Sequence, residues 1–205
     1  MKTPYNEIVN IASIGSQTNP ISLNEILRKA NDEQLTPAAQ NKERVLFLGI
    51  DVQQDFMDNG ALGVPGAHGD VERMTQFIYN NMDKITNIAV SIDTHTPHQI
   101  FHPCWWIDEN GNNPAPYTPI TLADLDSGKY RAVIYPRQSR DYVEHLEKDG
   151  KKTLCVWSYH CLQGTSGAAF ENQFANMIYF HSVAKKAVTQ RLVKGQDPLS
   201  EMYGI

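Results

Sequence analysis

Residues 93 to 102 read Asp93-Thr94-His95-Thr96-Pro97-His98-Gln99-Ile100-Phe101-His102. One carboxylate and three imidazoles thus fall within a single short segment. Carboxylate oxygen and neutral imidazole nitrogen together suit zinc, iron or manganese. Asp93 and His95 are two positions apart, so on an extended backbone both side chains point to one side. His160, in Trp157-Ser158-Tyr159-His160-Cys161, is placed to add a ligand from a neighbouring strand end. The competing reading of any one of these histidines is a solvated surface side chain. Two further residues have chemical readings. Asp51 follows the apolar run Val45–Ile50 and is either a general base or a turn or helix-cap aspartate. Lys194 follows Ala187–Val193 and is either a solvated lysine or a cation acting beside a carboxylate and a metal. Cys161 adjoins His160, and adjacent side chains on an extended backbone point opposite ways. It therefore reads as buried packing rather than as a second group of the same site.

The elements that must position these groups follow from periodicity. Short apolar runs predict strands over 45–50, 87–92, 153–157 and 187–193. Asp51, Asp93, His160 and Lys194 stand at or just beyond their carboxyl ends, where open α/β sheets bind ligands. Helical spacing predicts helices over 71–83, capped by Asp70, over 139–148, and after Ser166 with Phe170, Phe174, Met177 and Ile178 as its apolar stripe. Strand–helix alternation predicts one parallel sheet of four strands, with helices on both faces and right-handed crossovers. Residues 1–43 read as an appendage with one helix, in which Leu23, Ile26, Leu27 and Ala30 share a face and Ser22 and Glu25 have capping-box spacing. The Gly-rich stretch 59–69 reads as a loop across the sheet's upper edge. Residues 103–136 form a long insertion of the kind that serves as a lid or binding loop. Its Trp105-Trp106 pair is either an aromatic pocket wall or an apolar plug.

Composition narrows the function classes. The chain has 205 residues, 41% hydrophobic and 20% charged, with net charge −5, which describes a globular protein with one sizeable core. Mixed charge of negative sum argues against nucleic acid or an anionic membrane as partner. No stretch has transmembrane length, and the first residues lack the apolar core of a signal peptide. Three cysteines, at 104, 155 and 161, suggest a reducing compartment, so the expected location is cytoplasmic. No strand–helix turn carries a phosphate-cradling glycine pattern, which weakens a nucleotide-binding reading.

In order, these pieces make the chain resemble the nicotinamidase/pyrazinamidase branch of the isochorismatase-like cysteine hydrolases, over about residues 44–205. The motifs are Asp51-Val-Gln-Gln-Asp55-Phe56, Gly60-Ala-Leu-Gly-Val-Pro-Gly66, Asp93-Thr-His95, Trp157-Ser-Tyr-His160-Cys161-Leu-Gln-Gly164-Thr165, Lys194-Gly195 and Tyr203-Gly204. The resemblance implies a Rossmann-like, three-layer α/β fold with a parallel sheet flanked by helices. It implies Asp51 as catalytic base, Lys194 as its cationic partner, and Asp93, His95 and His160 as ligands of a divalent ion, zinc before iron or manganese. His98 matches the family's next histidine, with His102 as rival fourth ligand. Phe56 and Trp157 would wall the pocket of a small aromatic amide such as nicotinamide. In that family the nucleophilic cysteine follows one strand–helix unit after the lysine, so the hydrolase domain, residues 44–205, is expected to be incomplete at its C-terminus and inactive alone. Expected partners are a missing C-terminal half or a second copy. The competing class is a non-catalytic metal-binding or interaction module that keeps the fold.

Overall fold

The computed structural model describes residues 1–202; Tyr203 and Gly204 of the family motif lie outside the described residues. The elements run in the order α1 (Leu23–Asn31), β1 (Leu46–Gly49), α2 (Ala67–Asn80), β2 (Asn87–Asp93), β3 (Trp106–Asp108), β4 (Pro119–Ile120), α3 (Leu122–Asp126), β5 (Tyr130–Ala132), α4 (Pro136–Lys148), β6 (Leu154–Cys155), α5 (Asn172–Ala184) and β7 (Gln190–Lys194). They form two compact units. Met1–Ile92 joins Thr165–Val193 in the first, and Asp93–Gly164 joins the segment from Lys194 in the second.

The first unit holds a parallel sheet in the order β1-β2-β7. Leu46 lies opposite Asn87, and the register runs on to Gly49 opposite Val90. The glycine in β1 has a packing reason: a Cβ there would stand 2.8 Å from the Phe174 ring of α5. Ile26 and Ala30 of α1, Val71 and Ile78 of α2, and Phe174, Met177 and Ile178 of α5 share one core with Ile88 and Val90 of β2. Each such side chain contributes about 1.5–3 kcal/mol when fully buried. In β1, Leu46 and Leu48, which alternate with Phe47 and Gly49, are exposed, as is Ile50 just beyond.

Parallel strands flanked by helices are as expected, but among the described residues the sheet has three strands, not four. The expected strand at 153–157 is the two-residue β6, which pairs antiparallel with β4 of the insertion. Its backbone finds partners there because Val156 N donates to Thr118 O at 2.9 Å. Helix starts also differ. α2 begins at Ala67, because Gly66, at φ +90°, makes the left-handed entry turn. Asp70 therefore sits in the first turn, where a carboxylate favours the helix dipole. α5 is capped by Glu171, which accepts from Phe174 N at 2.8 Å, while Ser166 opens only a short 3-10 turn. α4 begins at Pro136, ahead of the expected Ser139. Ser22 makes no side-chain cap on α1; the capping box forms instead at Thr121 and Asp124 of α3.

The second unit packs α4 with two small antiparallel ladders, β3 with β5 and β4 with β6. The insertion is thus built of short ordered elements. Trp105 and Trp106 lie fully buried among Phe101, Ile120, Val143 and Leu154. Their indole N–H groups are satisfied, Trp105 by Ser139 Oγ at 2.9 Å and Trp106 by Ile100 O at 2.6 Å. The pair is a plug, not a pocket wall. Among the described residues no helix is long and apolar enough to cross a membrane.

Candidate metal centre

Asp93 ends β2, and the chain continues extended through His95. There His95 N donates to Cys161 O at 3.0 Å and Gln163 N donates to His95 O at 2.9 Å. This short parallel bridge brings the His160 turn beside the Asp93 segment. Asp93, His95 and His160, all buried, place one ligand atom each within 4.8 Å of one another. His95 Nδ1 lies 3.0 Å from Gly195 O, and His160 Nδ1 lies 2.8 Å from Ser158 O. A ring nitrogen facing a carbonyl carries the proton, so each Nε2 keeps its lone pair for a metal. His95 Nε2 is buried without a hydrogen-bond partner and stands 3.5 Å from Asp93 Oδ2. An orphaned imidazole nitrogen beside a carboxylate and a second imidazole is a donor set that fits a divalent ion.

The charge balance of the cluster is completed by Lys194, whose Nζ donates to Asp93 Oδ1 at 2.7 Å. Burial raises the Asp93 pKa, but the adjoining His95 and the Lys194 ammonium outweigh it and hold the carboxyl below its ordinary range. Lys194 is placed by its own strand end, where Thr94 N donates to Lys194 O. Gly195, at φ +76°, turns the chain so closely over the site that a Cβ would stand 2.7 Å from His95 Nδ1.

Of the two rival histidines, His98 is exposed and outside the group. His102 is fully buried, with its ring centroid 5.9 Å from that of His95 and 5.8 Å from that of His160. Its Nδ1 faces Thr96 O and Pro97 O, both at 3.1 Å, and its Nε2 is buried without a hydrogen-bond partner. Burial, followed by the neighbouring His160, pushes the His102 pKa down to about 4. Cys161 is buried at φ +45°, in keeping with a packing role.

The remaining sequence candidates divide between the units. In the first, Asp51 adopts φ +54° just beyond β1. Its N–H donates to Ser91 Oγ at 2.9 Å, and the Ser91 hydroxyl donates to Asp51 Oδ1 at 2.6 Å. The aspartate is held by a reciprocal pair rather than by a helix it caps. Asp51 and Phe56 line one cavity of about 570 Å³ together with Leu48, Val52, Met57 and Val71. In the second unit, Trp157 donates its indole N–H to Glu201 Oε2 at 3.1 Å and meets the Tyr117 ring edge-on. Burial pushes the Glu201 carboxyl up to about 7 against the pull of His95. Sequence reading passed over Glu201, Gln99 and Ser91. None carries a motif of its own, although Lys194-Gly195 did mark the turn whose carbonyl Gln99 binds.

Neither a family model nor a curated protein matches this sequence. Solved structures do match it. Yeast nicotinamidase Pnc1p bound to the inhibitor nicotinaldehyde aligns at 19% identity and TM-score 0.51, over 78% of this chain and 61% of that one. A second structure of yeast Pnc1p aligns at 18% identity and TM-score 0.51 over the same shares. The fold is that of the nicotinamidases. An Acinetobacter baumanii nicotinamidase/pyrazinamidase aligns at 21% identity over 78% of this chain and 55% of that one, with TM-score 0.48. The present chain spans less than two thirds of these nicotinamidases.

Proposed function

We propose that this chain is the metal-binding and base-bearing part of a nicotinamidase-type amidase acting on a small aromatic amide. The observation that supports this most strongly is the buried Asp93, His95 and His160 group with Lys194 on Asp93. These three residues would hold a divalent ion, zinc before iron or manganese. The ion would supply Lewis acidity or an anchor for a ring nitrogen. His102 replaces His98 as the nearest further imidazole. Phe56, which lines the cavity with Asp51 in the first unit, is a proposed aromatic contact for the substrate, and Trp157, held by Glu201, is another within the second unit. Lys194, held on Asp93, keeps positive charge beside the centre whatever other groups it serves.

The chemistry assigned to Asp51 is proton transfer. A carboxylate base takes the proton of a thiol, and the thiolate attacks the amide carbonyl. The C–N bond breaks as nitrogen is protonated to ammonia, and water then cleaves the thioester to the carboxylic acid. In the family that this chain resembles, that thiol is a cysteine on the strand–helix unit after the lysine, which none of Cys104, Cys155 and Cys161 matches. The 205-residue chain is therefore proposed to bind metal and not to turn over. The test is ammonia release from nicotinamide by the purified chain and by Cys161→Ala. Enzymatic turnover abolished by the substitution would make Cys161 the nucleophile, and turnover that survives it would remove the need for any thiol. No turnover from either supports the proposal, since loss of a nucleophile removes most of the rate of such a triad.

A further inference from the structure

Gln99 is fully buried and makes hydrogen bonds with every polar atom of its carboxamide. Its Nε2 donates to Gly195 O at 2.6 Å and to Asp197 O at 3.2 Å, and its Oε1 accepts from Thr96 N at 3.2 Å. Gly195 O is also the carbonyl that faces His95 Nδ1 at 3.0 Å. One carboxamide therefore ties the turn after β7 to the loop that carries His95, and grips the atom that fixes the His95 ring. Ile100 N donates to Pro198 O at 2.9 Å and closes the same seam one step further on. A buried amide satisfied on both ends is costly to replace, because apolar substitution leaves its partners unpaired.

We propose that Gln99 is a positioning residue of the metal centre. By holding the Gly195 carbonyl against His95 Nδ1, it keeps the proton on Nδ1 and presents Nε2 to the ion. By the same bond it keeps the Lys194-Gly195 turn in place, and with it the ammonium on Asp93. This rests on the metal reading of Asp93, His95 and His160. It goes beyond that reading by assigning control of the ligand tautomer to a residue that touches no ligand directly. Outer partners of this kind typically change metal affinity by about 10–100-fold when removed.

The experiment is zinc affinity, measured by competition with a chromophoric chelator, for the 205-residue chain and its Gln99→Leu and Gln99→Glu variants. The glutamate keeps an acceptor for Thr96 N but turns a carboxylate towards two carbonyls. Both variants are expected to bind zinc about 10–100-fold more weakly. Far-ultraviolet circular dichroism reports whether each is folded. A third measurement needs no variant: long-range imidazole ¹H–¹⁵N spectra of the metal-free wild-type chain. It is expected to show His95 protonated on Nδ1 alone, and in a folded variant a mixture of both tautomers. Unchanged zinc affinity in a folded variant would overturn the proposal. So would a wild-type His95 protonated on Nε2, whether or not the variants fold. Absence of zinc binding by the wild-type chain would instead overturn the metal reading beneath it. A His95 tautomer that is correct in the wild type and lost with weakened binding in either variant supports it.

Discussion

Lys194 Nζ lies 2.7 Å from Asp93 Oδ1, and both side chains are buried. The lysine that sequence reading set opposite Asp51 thus spends a donor on a candidate metal ligand. A buried pair of this kind is poor evidence of net stabilisation, yet breaking it leaves a lone buried charge. Lys194→Met is expected to destabilise the metal-free chain by about 3–5 kcal/mol in denaturant titration. Zinc should return part of that stability, because the ion replaces the lost positive charge and binds only the folded chain. Equal stability of the variant and the wild type without metal would contradict the pairing.

Acid should act on the same carboxylate. Asp93 has its folded pKa held below the ordinary value of 3.8. Its contribution to stability is present above that value and is lost as pH falls through the lower, folded one. In Lys194→Met burial is opposed by His95 alone, the folded pKa moves up towards the unfolded one, and the acid-dependent loss should be smaller than in the wild type. Acid unfolding curves of the two metal-free proteins check this, and superimposable low-pH limbs would exclude it.

His102 has the opposite charge and acts in a different window. Its folded pKa is about 4 against 6.5 in the unfolded chain. Between those values the unfolded chain binds the extra proton, so stability rises with pH there. The contribution is intact above 6.5 and shrinks by up to about 3 kcal/mol as pH falls towards 4. His181, also shifted down by burial, adds its own share, so the informative quantity is a difference. With chelator present, His102→Gln is expected to flatten the fall in unfolding free energy between pH 6.5 and 4 relative to the wild type. An unchanged slope would show that His102 titrates normally.

Gly195→Ala is expected to be severe for its size. The left-handed φ of +76° alone costs an alanine about 1–2 kcal/mol. The added methyl would also meet the His95 ring and approach Asp93 Oδ1 to 3.1 Å. Lower melting temperature and weaker zinc binding should appear together. A variant that loses stability but binds zinc as the wild type does would show that the turn and the ligand are independent.

Much of this was legible from residue type and spacing. Asp93 and His95 converge because alternation on an extended segment puts both on one side, and that is a local property. His160 joins them through the bridge between His95 and Leu162, and the Lys-Gly turn announced itself through its glycine. The choice between His98 and His102 was not local: His98 is exposed, while His102 is buried with its Nδ1 against Thr96 O and Pro97 O, and only packing reveals that. The missing fourth strand has the same origin. The apolar residues at 154–156 are buried as expected, but their backbone bonds go to residues 117–120, a segment with no strand pattern of its own. Gln99 and Glu201 were invisible because a lone amide or carboxylate acquires meaning only from the carbonyl or indole it meets.

The most direct test is zinc stoichiometry at equilibrium for the wild type and for His95→Gln, His160→Gln and His98→Ala. The wild type and His98→Ala should each bind one ion per chain with the same affinity. His95→Gln and His160→Gln should each bind more weakly than the roughly 10–100-fold loss typical of an outer partner. Zinc binding that ignores His95 and His160, or that disappears in His98→Ala, would contradict the assignment of the centre.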